Sequence, residues 1–259
     1  MVNKRLIDLA ERMKSNGIIV PKNQNAPIIN PENDWENVLV FSSHRKIFVL
    51  DKDKSVTQIA ERNSSVYTLC SHQGILYDGG EENKLFETLS GKEIEVKTGY
   101  RVSALCSHNG KLYSAGGETI VEIFSGEVVA QREDEILCLC SHKGELYDGG
   151  VDKSIFQTLS NLVLSTRSNW IRGLCSYKGV LYDSGDDKKI FETSSNKLIN
   201  ERTKSITSLC SHEGDLYDGG CYEGIFKTFE KNLFYSHQAH IYSMCSHPRA
   251  DFVKAGVLK

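Results

Sequence analysis

Six times in this chain of 259 residues a cysteine stands two positions before a ring-bearing side chain: Cys70-Ser71-His72, Cys106-Ser107-His108, Cys140-Ser141-His142, Cys175-Ser176-Tyr177, Cys210-Ser211-His212 and Cys245-Ser246-His247. Thiolate and imidazole are the ligands of structural zinc, and on an extended strand residues i and i+2 share a face. A zinc ion needs four such groups at roughly 2.0–2.3 Å. These copies recur at intervals of 36, 34, 35, 35 and 35 residues, which spreads them around a repeat architecture instead of gathering them. No metal or other cofactor is expected. The histidines and Tyr177 are read as hydrogen-bonding groups on one rim or between repeats, with a ring that binds an anion or a partner as the functional alternative.

A second recurring group is the carboxylate of Asp78, Asp148, Asp183 and Asp218, with Ser114 at the same place in one repeat. One carboxylate per unit suits a repeated sugar or calcium site. Each precedes Gly-Gly or Ser-Gly, however, where a tight turn lets a carboxylate cap nearby backbone N–H groups, so structural use is favoured. The Gly-Gly pairs are not phosphate cradles, because no Lys-Ser/Thr follows them. Catalysis needs a nucleophile, a base and an orienting group converging once, and no long inserted loop supplies such a set. The non-repeated residues are Cys138, Trp170, Tyr177, Cys221 and the pair Tyr222-Glu223. Trp170, at a turn before a strand, is either a binding anchor or a packed rim residue. The chain is not expected to be an enzyme.

The elements that position these groups are short strands. From Val66 to Gly80, two alternating runs flank Gln73-Gly74, and the later repeats place Asn109-Gly110, Lys143-Gly144, Lys178-Gly179 and Glu213-Gly214 there, the composition of a two-residue hairpin turn. Such a turn pairs His72 with Ile75, Cys70 with Tyr77 and Leu69 with Asp78, sending the histidine and aspartate sets toward opposite rims. A third run (Lys84 to Thr88, Ser154 to Thr158, Lys189 to Thr193, Gly224 to Thr228) and a fourth (Glu93 to Lys97) complete four strands in about 35 residues, a propeller blade. A helical repeat would show apolar residues at i, i+3, i+4 and i+7 and few glycines.

The order of Val or Ile, small residue, apolar pair, turn glycine, apolar strand, Gly-Gly, acidic residue and Ile-Phe resembles the WD40 family of β-propellers over residues 36 to 259, as in Ile206 through Gly220. Ser236 to Ser243 resembles that family's approach to an inner strand, and His247-Pro248-Arg249-Ala250-Asp251-Phe252 its usual turn. No Trp-Asp dipeptide ends a third strand, so the resemblance is WD40-like. It implies an all-β propeller acting as a non-catalytic scaffold for another protein; a propeller with repeated small-ligand or glycan sites is the second reading and a propeller enzyme the third.

Five units are complete. The N-terminal remainder offers strands at Val38 to Phe41, Lys46 to Leu50 and Val56 to Ile59, and the C-terminal remainder offers Ile241 to Ser246 and Asp251 to Val253. If the remainders share a blade there are six, otherwise seven; six is favoured because a partial blade exposes an edge. Residues 1 to 35 form a separate segment. Leu6, Leu9, Ala10 and Met13 define one face of an amphipathic helix, and Pro21, Pro27 and Pro31 an extended linker. The helix is expected to dock on the propeller or to mediate partner binding or self-association.

A formal net charge of -3 from 31 basic and 34 acidic residues predicts no nucleic-acid or membrane partner. The start carries no signal-peptide pattern, and no apolar run of membrane-spanning length occurs. Cysteines at equivalent strand positions are too far apart to bridge and read as small buried hydrophobes, which predicts a reducing, cytoplasmic setting.

Overall fold

The computed structural model describes residues 36–96 and 101–258. The chain divides into one unit from Met1 to Asp34 and a second from Trp35 to Lys259, and the described residues all belong to the second. The expected N-terminal helix and its linker lie outside the described residues.

Twenty-four strands form six four-stranded antiparallel sheets. In chain order, β1 (Asn37–Ser43), β2 (Lys46–Leu50) and β3 (Val56–Glu61) belong to a closing blade. The second blade is β4 (Val66–His72), β5 (Ile75–Gly80), β6 (Lys84–Glu87) and β7 (Glu93–Glu95). The third is β8 (Ala104–His108), β9 (Lys111–Gly116), β10 (Thr119–Glu122) and β11 (Val128–Gln131). The fourth is β12 (Ile136–His142), β13 (Glu145–Gly150), β14 (Ser154–Gln157) and β15 (Leu162–Thr166). The fifth is β16 (Ile171–Tyr177), β17 (Val180–Gly185), β18 (Lys189–Glu192) and β19 (Lys197–Glu201), and the sixth β20 (Ile206–His212), β21 (Asp215–Gly220), β22 (Ile225–Lys227) and β23 (Asn232–Tyr235). The last strand, β24 (Ser243–Pro248), pairs with β1 as the innermost strand of the closing blade, with Ser42 opposite Ser243 and Asn37 opposite Pro248. Both ends of the propeller segment therefore build one blade and the ring has six. Successive inner strands β4, β8, β12, β16, β20 and β24 are neighbours all the way round.

The hairpins follow the expected register: His72 faces Ile75, Cys70 faces Tyr77 and Leu69 faces Asp78. Both residues of the turn take positive φ, 49° at Gln73 and 77° at Gly74, the mirror-image turn whose twist matches the strands it joins. The second glycine of each Gly-Gly pair has a different reason. A Cβ on Gly80 would collide with the Ser65 carbonyl oxygen, and one on Gly220 with that of Ser205, so the connection into the inner strand crosses too closely for any side chain.

Asp251 to Val253, expected as a strand, is instead part of a helix, α1 (Arg249–Lys254). The closing blade already holds four strands, so no sheet edge is left for it, and Pro248 with φ -57° starts a helix. Phe252 is fully buried and joins Val38, Val40, Ile47, Val49, Val66, Leu69 and Leu76.

The core is six apolar layers between blades rather than one centre. Cys70, Tyr77 and Leu85 of the second blade pack on Val102, Leu105 and Leu112 of the third, and Cys138, Cys140 and Ile155 of the fourth on Ile171, Leu174 and Leu181 of the fifth. The repeated cysteines fill these layers as small hydrophobes, all eight cysteines being free thiols. Burial pushes the Cys175 and Cys245 thiols up to about 12 and the other repeat cysteines higher than an ordinary thiol. Cys221, outside the repeat pattern, is partly exposed. Iodoacetamide is expected to label the folded protein at the two partly exposed thiols, Cys221 and Cys245, with the remaining six reacting only on unfolding; peptide mapping by mass spectrometry checks this, and fast labelling of Cys70 or Cys140 contradicts the packing.

Candidate functional site

The structure moves the two repeated polar sets from the rims into the interior. His72 Nδ1 lies 2.8 Å from Ser107 Oγ of the next blade, and the same link joins His108 to Ser141 (2.9 Å), His142 to Ser176 (2.8 Å), His212 to Ser246 (2.9 Å) and His247 to Ser71 (2.9 Å). Tyr177 makes the sixth link, its hydroxyl donating to the Gly214 carbonyl at 2.7 Å. All six residues are buried. Alternation sends these side chains into the gap between blades, where, of the two places read for them, they take the one between repeats and form a closed belt of interblade hydrogen bonds. Burial depresses the histidine pKa values, that of His212 to about 4.

The aspartates do not cap backbone N–H groups as expected. Each receives a bidentate arginine from the loop that enters its own blade, sixteen residues earlier: Arg62 to Asp78, Arg132 to Asp148, Arg167 to Asp183 and Arg202 to Asp218, all at 2.6–2.8 Å. Thr158, Thr193 and Thr228 hydroxyls donate to the same carboxylates at 2.7–2.9 Å. The guanidinium planes lie over Phe86, Phe156, Phe191 and Phe226, 4.3–4.6 Å from the ring centres. Asp78, Asp148, Asp183 and Asp218 are thus buried ion-pair anchors, and the sixteen-residue Arg-to-Asp spacing was a readable signal that sequence reasoning missed.

Two blades lack this set. The third blade has Ser114 opposite Val121 with Ile123 following, where the others have aspartate, phenylalanine and threonine. The closing blade has Phe41 stacked on Phe48 at 5.1 Å, Leu50 and, in place of the arginine, His237 edge-on to Phe41 at 5.3 Å.

What remains open to solvent is the channel mouth, at the end where the inner strands begin. A cavity of about 290 Å³ is lined from all six inner strands. A Val or Ile stands at or just before the start of each inner strand, with Leu or Met three places on: Val66 and Leu69, Val102 and Leu105, Ile136 and Leu139, Ile171 and Leu174, Ile206 and Leu209, Ile241 and Met244. The residue between them that faces the channel differs in nearly every repeat: Tyr67, Ser103, Leu137, Arg172, Thr207 and Tyr242. Period-two alternation sets these on the same side as the Leu and Met collar, so side chains break the symmetry at the mouth as well.

Aromatic and cationic groups interleave at the mouth. Tyr67 and Tyr242 meet edge to face at 5.4 Å, and His240 stacks on Tyr242 at 4.3 Å with planes 11° apart. Burial, reinforced by Arg172 and His44, holds His240 down at about 4, so it is neutral near pH 7. The Arg101 guanidinium lies over the Tyr67 ring at 5.5 Å. Arg101 is clamped by Glu135 at 2.6–2.7 Å and Arg172 donates Nε to Asp186 at 2.7 Å. Trp170, 39% exposed, lies under the Arg172 guanidinium at 5.0 Å. Of the sequence candidates, Trp170 alone stands at this mouth. Tyr67, Arg101, Arg172, His240 and Tyr242 were missed, although the variable position after each leading Val or Ile marks three of them.

No group of three or more His, Cys, Asp or Glu residues suited to hold a metal occurs among the described residues. Cys221 Sγ lies 3.6 Å from His240 Nδ1, but burial raises the thiol pKa and His240 is a weak base, so this pair does not generate a thiolate.

No protein-family model matches the chain, and no curated protein does. Solved structures do. A chain of a nidogen/laminin complex is 12% identical with a TM-score of 0.66, covering 81% of this chain and 98% of that one. The WD40 β-propeller domain of Doa1 is 12% identical with a TM-score of 0.56 over 82% and 86% of the two chains, and a chain of a mitotic checkpoint complex 16% identical with 0.56 over 88% and 90%. At these identities the likeness shows the fold: a WD40-like β-propeller.

Replacing Asp148 by alanine leaves Arg132, 5% exposed, without its counter-ion, which is expected to cost about 3–5 kcal/mol. Glu133→Ala at an exposed position is expected to cost under about 0.5 kcal/mol, both read from urea midpoints. The belt histidines bind protons more weakly folded than unfolded. Stability is therefore complete above an unfolded histidine pKa of about 6.5 and falls as pH drops toward 4. Urea midpoints at pH 7.5, 6 and 4.5 are expected to decline in that order, and His212→Gln to flatten the decline.

Proposed function

We propose that the chain is a non-catalytic protein-binding platform and that the channel mouth is its recognition surface. The observation that carries this reading is the placement of variation. At the channel-facing position of the inner strands the repeats depart from one another, and what they place there includes Tyr67, Arg172 and Tyr242 beside Ser103, Leu137 and Thr207. Tyr, Trp and Arg are the residue types that dominate binding hot spots, because each combines a large apolar area with a polar handle. Trp170 and the 63%-exposed Tyr222 extend the same surface outward.

The repeated-site ligand reading loses its support, because the histidines and aspartates that would form one site per blade spend their hydrogen bonds holding blades together. The enzyme reading lacks a nucleophile activated by a base among the described residues. The resemblance to propellers found in complexes supplies the prior for a protein partner, and function still lives in the site rather than in the fold.

The test is affinity purification from native extract with the full chain, the full chain carrying Tyr67→Ala and Tyr242→Ala, and the full chain carrying Asp148→Asn as an interior control. A stoichiometric partner captured by the first and third and reduced at least about tenfold with the second is the expected result. Capture that ignores the tyrosines moves recognition elsewhere.

A further inference from the structure

At the far end of the ring from the mouth, the turns that close the inner hairpins share one backbone and differ in one side chain. Their first residues are Gln73, Asn109, Lys143, Lys178 and Glu213, with φ between 45° and 49°, and a glycine with φ of 76–82° follows each. Asn109 is the one asparagine among the described residues that precedes a glycine.

That pair holds the two reactants of an intramolecular acyl transfer. The side-chain amide carbon of an asparagine, Cγ, stands one methylene from the main chain, so attack by the next residue's amide nitrogen closes a five-membered imide. Glutamine would need a six-membered ring, and lysine and glutamate carry no amide, which leaves one reactive turn of the five. Nothing lies within 4 Å of the place that a Cβ of Gly110 would take, so the attacking nitrogen is uncrowded. The Gly110 N–H makes no hydrogen bond among the described residues, and both residues are exposed, so solvent base reaches the proton and water reaches the product.

Three hydrogen bonds restrain the pair. Gln73 Nε2 donates to the Gly110 carbonyl at 3.0 Å, and Asn109 Nδ2 donates to His108 Nε2 at 3.0 Å and to the Gly144 carbonyl at 3.5 Å. The amide has to leave these partners before Cγ meets the Gly110 nitrogen, so the reaction runs from a locally opened turn.

We infer that Asn109-Gly110 is a self-modification site that needs water alone as co-reactant. The Gly110 nitrogen bonds to Asn109 Cγ as its proton passes to solvent. The Cγ–Nδ2 bond breaks, and the nitrogen takes a proton from solvent and departs as ammonia. Water then opens the imide at Cγ, which leaves aspartate, or at the main-chain carbonyl, which leaves isoaspartate. Either product ends the donation from Nδ2. His108 Nε2 accepts that bond, which keeps the proton of the neutral ring on Nδ1 for Ser141 Oγ of the fourth blade, 2.9 Å away. A carboxylate in the same place draws the ring proton to Nε2, and the Ser141 link has to reverse. Isoaspartate also adds a backbone carbon to a two-residue turn that sets the hairpin register. The reaction therefore weakens the seam between the third and fourth blades, whatever the mouth binds.

The full chain and a synthetic peptide of residues 104–114 are aged side by side in neutral buffer and mapped by mass spectrometry, with aspartate and isoaspartate peptides separated by chromatography. Every version of the full chain carries Asn16→Gln, so that Asn16-Gly17, outside the described residues, does not contribute. The full chain is expected to gain both products at Asn109, more slowly than the peptide. Asn109→Gln, which places here the residue of the second blade's turn, is expected to stay folded and lose the conversion. Gln73→Ala, which releases the Gly110 carbonyl, is expected to speed it about two- to tenfold, the worth of one hydrogen bond in the opening step. The converted fraction, isolated by ion exchange, is expected to unfold at lower urea than the unaged chain. An unconverted Asn109 in the full chain once the peptide has reacted completely overturns the inference. An unchanged rate in Gln73→Ala overturns the opened-turn step, and a converted fraction with the urea midpoint of the unaged chain overturns the action on the seam.

Discussion

The pairing of β24 with β1 is the constraint on which the rest of this structure stands. A six-bladed ring is a chain of interblade contacts, and every such contact is equivalent until the last one, which must join residues some two hundred positions apart. Hydrogen bonding the final strand against the first completes the sixth four-stranded blade from both ends of the propeller segment and so closes the ring. The histidine belt depends on it, because His247 reaches Ser71 only when β24 is seated. So does the mouth, since Tyr242 and His240 approach Tyr67 from the segment that leads into the closing strand.

Closure also explains how polar groups are distributed. The interior of each blade is dry, so an aspartate there requires a counter-charge, and the loop that brings the chain from one blade to the next supplies it. The arginine therefore does two things at once: it neutralises a buried carboxylate and pins the interblade connection to the strand that follows. Buried ion pairs are weak evidence for net stability, but they are strong constraints on geometry, and here the geometry they fix is the approach angle of every inner strand in the four blades that carry them.

Much of this was legible in the sequence, and for a physical reason. Period-two alternation interrupted by Gln73-Gly74 or Asn109-Gly110 has one hairpin register, and the register brought His72 opposite Ile75 as expected. Blade count followed from the two partial repeats. What stayed hidden depended on contacts between strands that the alternation rule does not address. It assigns a face to His72 and Asp78 but does not say whether that face meets water or another blade, so the histidines were left between a rim and an interblade place and the aspartates were read as backbone caps. The helix at Arg249 was hidden for the opposite reason: three apolar-alternating residues suit a strand, and only the absence of a vacant sheet edge decides against it. The mouth residues escaped because attention to a repeat favours what recurs, whereas Tyr67, Arg172 and Tyr242 are informative through their failure to recur.

The third blade shows how such a ring can change. Its aspartate, phenylalanine and threonine equivalents are Ser114, Val121 and Ile123, a set without charge. An aspartate placed there without its arginine would strand a charge, and the removal of only one partner from another blade would do the same. A blade moved within this ring therefore has to carry the whole set, a cassette of four side chains scattered over some twenty-six residues. Single-site exchange between repeats is blocked by an unstable halfway form. A designer who wished to lengthen, shuffle or retarget the ring would be free at the channel-facing position and bound everywhere the cassette is closed.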